Sequence, residues 1–154
     1  MDHGWPTAGG ASPWLPFPPD AATRNYETQR RDPSSMLHLY RRLIQHRRRS
    51  PALTLGTFDP IELPEGILGY RREQAGDEEV VVVNFTDRSI ELPMVAGDPN
   101  GLGLVDLQVM VSSDGLGEGR SFTGRVGADQ ALVLARSPRA EPGGYGDQNQ
   151  VVRQ

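Results

Sequence analysis

The 154-residue sequence contains no cysteine and no lysine. Without cysteine there is no disulfide framework, no thiolate nucleophile and no thiolate-held metal. All sixteen basic residues are arginine, which excludes a Walker-type phosphate loop, a lysine Schiff base and a lysine general base. Aromatics make up 6% of the chain and hydrophobic residues 36%, so the expected core is smaller than the length allows. No apolar run approaches the ~20 residues of a membrane span, and no basic-then-apolar leader opens the sequence. The expectation is a cytoplasmic protein with no membrane partner. The net charge of −4 argues against a polyanion binder, because phosphate backbones reward clustered positive charge. The length suits one domain with extensions and falls short of the roughly 250 residues of a complete α/β barrel.

Glycine (18) and proline (13) are abundant, and they divide the chain into four segments. Residues 1–32 hold Trp5-Pro6 and Pro13-Trp14-Leu15-Pro16-Phe17-Pro18-Pro19. That proline density predicts a loop, since each proline removes a donor and biases its predecessor toward extended backbone. Two tryptophans and a phenylalanine predict that the loop lies against an apolar surface. Residues 33–52 read as an amphipathic helix, with Asp32 as cap, Pro33 at the first position and Ser50-Pro51 as the stop. Met36, Leu37, Tyr40, Leu43 and Ile44 form one apolar face. Arg41, Arg42, Gln45, Arg48 and Arg49 lie opposite.

Residues 53–136 read as an antiparallel β-sandwich, with strands expected at 53–58, 67–73, 79–85, 89–92, 104–111, 120–126 and 130–135. Gln74-Ala75-Gly76-Asp77 is a hairpin candidate. Val80-Val81-Val82-Val83 is apolar on both faces and belongs at the centre of a sheet. Val105, Leu107, Val109 and Val111 alternate with polar or solvent-facing positions. Two of the four aromatics Phe58, Tyr70, Phe85 and Phe122 are expected to point inward. Residues 137–154, with Pro142-Gly143-Gly144, read as a disordered tail.

None of the constellations that imitate chemistry keeps its mechanism. His38 and His46 lie two helical turns apart, ~12 Å along the axis, too far to share a metal, and both are expected on the surface. Asp77-Glu78-Glu79 is expected at a solvated hairpin tip, where nothing raises a carboxyl pKa for glycosidic acid catalysis. Gly115, Gly117 and Gly119 resemble a phosphate loop, yet a strand rather than a helix is expected after them. The arginine-rich helix end, Arg41-Arg42 and Arg47-Arg48-Arg49, has no nucleic-acid docking module around it and reads as a solvated face. Asn84-Phe85-Thr86 matches a glycosylation acceptor without a secretory context.

The order of several segments carries a resemblance. Trp5 through Gly9, Pro13-Trp14-Leu15-Pro16, Asn25-Tyr26-Glu27-Thr28-Gln29 and Asp32-Pro33-Ser34-Ser35-Met36-Leu37 come first. Leu39-Tyr40-Arg41-Arg42-Leu43-Ile44 and Arg48-Arg49-Ser50-Pro51-Ala52-Leu53 follow, then Val81-Val82-Val83-Asn84-Phe85-Thr86 and Ala128-Asp129-Gln130-Ala131-Leu132-Val133-Leu134. Together they resemble the C-terminal part of the alpha-glucosidase, oligo-1,6-glucosidase and trehalose synthase branch of the alpha-amylase superfamily, glycoside hydrolase family 13. The resemblance covers about residues 2–136.

It implies that the helix is the last of a (β/α)8 barrel, that the proline-rich head leads into it, and that the sandwich follows the barrel. The expected fold is therefore mostly β, with one barrel-remnant helix and a Pro-rich loop in front. The family's nucleophilic aspartate, acid/base glutamate and stabilising aspartate belong to earlier barrel strands, so the resemblance assigns no catalytic residue here. It implies neither cofactor nor metal. Only Asp2 and Trp14 are candidates for a substrate rim. The implied partner is a catalytic barrel, or another copy, on the apolar faces of the head and helix. An oligosaccharide is a weaker candidate, and carbohydrate metabolism is the implied setting.

Overall fold

The computed structural model describes residues 19–21, 23–94 and 103–136; Asp2, Trp14 and the 137–154 tail lie outside them. The chain divides into two compact units, Met1–Arg42 and Leu43–Gln154.

In the first unit a short helix α1, Tyr26–Arg31, forms where a loop is expected. It begins beyond the prolines, and Asn25 caps it by accepting a hydrogen bond from the Thr28 N–H at 2.9 Å. Gln29 ties it to the next helix: its Oε1 accepts from the Leu37 N–H at 3.1 Å, and its carbonyl accepts from Ser35 Oγ at 2.7 Å. That next helix, α2, runs over Met36–Arg49 and continues into the second unit. Pro33 sits in the turn before it rather than at its first position.

Ser50-Pro51 stops α2 as expected, and the same pair starts another helix. α3, Pro51–Leu55, has Ser50 as its cap and proline in its first turn, so the strand expected at 53–58 is absent. The sandwich begins with β1, Asp59–Ile61, followed by β2, Ile67–Gln74, and β3, Asp77–Asn84. β2 and β3 form the expected hairpin around Ala75 and Gly76, both at positive φ (52° and 85°), as a primed two-residue turn requires. After β4, Ile90–Glu91, come β5, Leu107–Ser112, β6, Arg125–Val126, and β7, Ala131–Arg136. All pairings are antiparallel, in a five-stranded sheet β1-β2-β3-β7-β5 and a two-stranded sheet β4-β6. β3 is central, as its four valines predict.

Cross-strand partners share a face, and the register therefore sorts the side chains. Val80, Val82, Leu132, Leu134, Leu107 and Val109 form one core with Leu92, Leu104, Phe122 and Val126. Phe122 is buried, whereas Phe58 and Phe85 are exposed and Tyr70 is half-buried; one aromatic points inward, not two. On the opposite face α3 packs over β2 and β3 and buries Ala52 and Leu53. The expected strand at 104–111 is shorter because Asp106 turns at φ 60°. A bulge between Val109 and Val111 then moves Val111 off the core face. The strand expected at 120–126 shrinks to β6 and an isolated Ser121–Gln108 bridge.

Candidate functional site

The acidic triplet Asp77-Glu78-Glu79 is not a solvated tip. The tip is Ala75-Gly76, and the pleat of β3 sends successive acids to opposite faces. Asp77 Oδ2 accepts from Ser50 Oγ at 2.7 Å and from the Ala52 N–H at 2.9 Å, so it holds the start of α3. Glu78 lies 3.3 Å from both Arg71 and Arg136 on the other face. Glu79, 2% exposed, faces His46 of α2, with Oε1 2.8 Å from Nε2. The close approach does not have hydrogen-bond geometry: neither His46 Nε2 nor Glu79 Oε2 has a hydrogen-bond partner among the described residues.

His46 is therefore half-buried and not a surface histidine. The sequence signal that was missed is its spacing: Leu39, Leu43 and His46 follow i, i+4, i+7 and are all half-buried. His38 points elsewhere, with Nε2 3.1 Å from the Arg30 carbonyl oxygen. Among the described residues no group of three or more His, Cys, Asp or Glu is placed to hold a metal. No helix among them is long and apolar enough to cross a membrane. Arg47, Arg48 and Arg49 are exposed, the solvated face expected of them. The Asn84 side chain is 1% exposed. Its amide nitrogen donates to the Arg88 and Gly127 carbonyls, and its Oδ1 accepts from the Thr86 N–H and hydroxyl. It is a structural hub.

The glycine-rich stretch after β5 leads to the Ser121 bridge and then to β6, so no helix N-terminus meets it. Its first acid, Asp114, is fixed by Ser112 Oγ, by the Leu116 N–H at 2.9 Å and by Gln130 Nε2 at 2.9 Å. Burial pushes this carboxyl up; the hydrogen bonds from Ser112, Leu116 and Gln130 outweigh it, and the net shift is below the usual aspartate range. Beside it opens a cleft of about 380 Å³, bordered by Asp114, Arg120, Arg125 and Gln130 over a floor of Phe122 and Leu132. This cleft has no local signature along the chain, because its lining is drawn from residues 89 to 132.

No family model matches the chain. The probable alpha-glucosidase of Rhizobium meliloti (strain 1021) is 35% identical over 98 residues, 62% of this chain and 18% of that protein. The oligo-1,6-glucosidase of Parageobacillus thermoglucosidasius is 33% identical over 84 residues, 54% of this chain and 15% of that protein. The chain therefore spans less than a fifth of the length of either relative. The trehalulose synthase MutB of Pseudomonas mesoacidophila MX-45 matches in structure with a TM-score of 0.64 at 25% identity, covering 80% of this chain and 22% of its own. The chain is homologous to the C-terminal part of glycoside hydrolase family 13 enzymes.

Within family 13, the β-sandwich is the C-terminal domain, and the two sheets described above have that architecture. The family 13 isomaltulose synthase SmuA of Protaminobacter rubrum shares the fold with a TM-score of 0.60 at 24% identity. Asp77 and Glu79 then read as fastenings between the sheet and the helices that precede it, whereas Glu78 pairs within the sheet. Each of the three acids is committed to a structural partner.

Proposed function

We propose that this chain serves as a structural C-terminal region of an alpha-glucosidase-like protein in carbohydrate metabolism, and that it does not hydrolyse glucosides without a catalytic barrel. One observation carries the reading. Met36, Tyr40 and Ile44 follow each other at i, i+4, i+8 on α2 and are 59%, 60% and 47% exposed. An apolar stripe of that regularity on a fourteen-residue helix is built to be covered, and a barrel is the cover that the resemblance implies. The proposal extends to a cytoplasmic setting and to the head as part of the same seat, with Asp2 and Trp14 at a substrate rim.

Incubating the purified chain with a chromogenic alpha-glucoside tests it. Turnover above a blank overturns the reading. Absence of turnover, together with recovery of a complex when a family 13 barrel is added, supports it.

A second reading, a carbohydrate-binding module, draws on Phe58. It is 61% exposed and its ring centroid lies 5.0 Å from that of Tyr70, an aromatic pair on which a sugar could stack. A ligand that binds the native state raises its melting temperature. No rise with maltose or isomaltose at millimolar concentration counts against this second reading.

A further inference from the structure

We propose that the cleft beside Asp114 binds a small anionic saccharide, a pyranose carrying a carboxylate or a phosphate. The cleft lies within the second unit, about 380 Å³ in volume, inside the range of small-molecule sites. Its floor is apolar, with Phe122 6% and Leu132 3% exposed. A sugar ring presents C–H faces to such a floor and hydroxyls to the walls.

The walls offer both kinds of hydrogen-bonding partner. Asp114 is the acceptor, and it is fixed before any ligand arrives. Ser112, the Leu116 N–H and Gln130 hold it, and Gln130 is itself held where its Oε1 accepts from the Gly127 N–H at 2.7 Å. Fixing a group in advance removes the ordering cost that binding otherwise carries. A carboxylate so placed accepts from ligand hydroxyls and gives nothing to a bare anion.

The donors are Arg120 and Arg125. Arg120 makes no side-chain hydrogen bond or ion pair among the described residues. Arg125 has only a 4.0 Å contact with Glu91, both side chains about two-thirds exposed, and a 3.5 Å hydrogen bond to Ser89. An exposed pair at that distance is worth little, so both planar forks keep their capacity for a carboxylate or phosphate. Two arginines and one aspartate line the cleft, an excess of one positive charge among its lining side chains. The ligand that satisfies all of this is anionic at one end and hydroxylated at the other.

The proposal is independent of the barrel reading, because its test measures binding and not glucoside turnover. The full chain is titrated with glucuronate and with a hexose monophosphate, with glucose and inorganic phosphate as controls, by NMR and thermal unfolding. Saturable shifts confined to residues around the cleft, and a higher Tm with at least one sugar anion, are expected; which one does so identifies the anion. The paired substitution Arg120→Gln/Arg125→Gln, at exposed positions that leave the fold intact, is expected to weaken binding about tenfold or more. Asp114→Asn is expected to abolish the preference for the sugar anion over inorganic phosphate. The proposal is overturned if neither sugar anion saturates, if inorganic phosphate binds as well as both, or if the double arginine variant binds unchanged.

Discussion

His46 Nε2 lies 2.8 Å from Oε1 of Glu79, and the Glu79 side chain is 2% exposed. This pair joins the last turn of α2 to the centre of the larger sheet. It sits beside the Ser50–Asp77 contact, so two acids of one strand hold the junction of two helices. Burying a carboxylate is costly, and one oxygen of Glu79 has no hydrogen-bond partner among the described residues.

Removing one member strands the other. His46→Ala is expected to destabilise the fold by about 1–3 kcal/mol, because a buried polar group on Glu79 is left without its neighbour. Replacing both with leucine is expected to be neutral or to gain about 1–4 kcal/mol. Urea denaturation of the single and double variants in a double-mutant cycle checks this. Additive losses in the double variant would show that the two side chains do not interact.

Asp77 acts on two groups, Ser50 on one acid. Asp77→Ala removes acceptors for both the Ser50 hydroxyl and the Ala52 N–H. Ser50→Ala removes the cap bond to the Leu53 N–H and one donor to Asp77. The cap variant is expected to cost about 0.5–2 kcal/mol. Asp77→Ala is expected to cost more, with earlier hydrogen exchange at Ala52. Equal costs would contradict the assignment of Asp77 as the main anchor.

Asn84→Leu is expected to cost at least about 2 kcal/mol. It leaves the Gly127 carbonyl and the Thr86 N–H without their partner, and each buried unpaired group costs about 1–3 kcal/mol. Thermal unfolding measures the loss. The same variant also separates a structural asparagine from a glycan acceptor, since no change in stability would remove the hub.

Asp114 makes one limb of the stability profile. Its folded-state pKa is lowered from 3.8, so the stability it adds is present above that value and is lost as pH falls through the folded pKa. Stability of the wild-type chain is expected to decline as pH falls below about 4, with a shallower slope in Asp114→Asn. Identical slopes for the two proteins would refute the contribution.

The exposed stripe of α2 gives a prediction about association. Tyr40→Arg and Ile44→Glu are expected to reduce binding of an apolar dye while changing stability by no more than about 0.5 kcal/mol, since both side chains are exposed. A large loss of stability in either would mean that the stripe is already covered within this chain.

The sandwich was legible in the sequence because its signals are local. Four consecutive valines predict a central strand, Ala75-Gly76 predicts a tight hairpin, and the alternation of Val105, Leu107, Val109 and Val111 points to β5. Helix boundaries were legible only in part. Ser50-Pro51 is equally good chemistry for ending one helix and capping another, and nothing within ten residues decides between them. The bulge in β5 and the turn at Asp106 escaped for the same reason: they answer to the register of β7, which lies more than twenty residues away.

The sequence by itself determined the class of fold, the kinship with family 13 enzymes and the exclusion of cysteine and lysine chemistry, because each depends on residue type and order along the chain. Tertiary structure alone decided the fate of the charges. Asp77, Glu78 and Glu79 are neighbours in sequence, yet the pleat gives each a different partner. The arginines and the aspartate of the cleft become neighbours only when β5, β6 and β7 come together. A side chain's chemistry follows from what surrounds it, and here those surroundings are set by contacts between residues far apart in the chain.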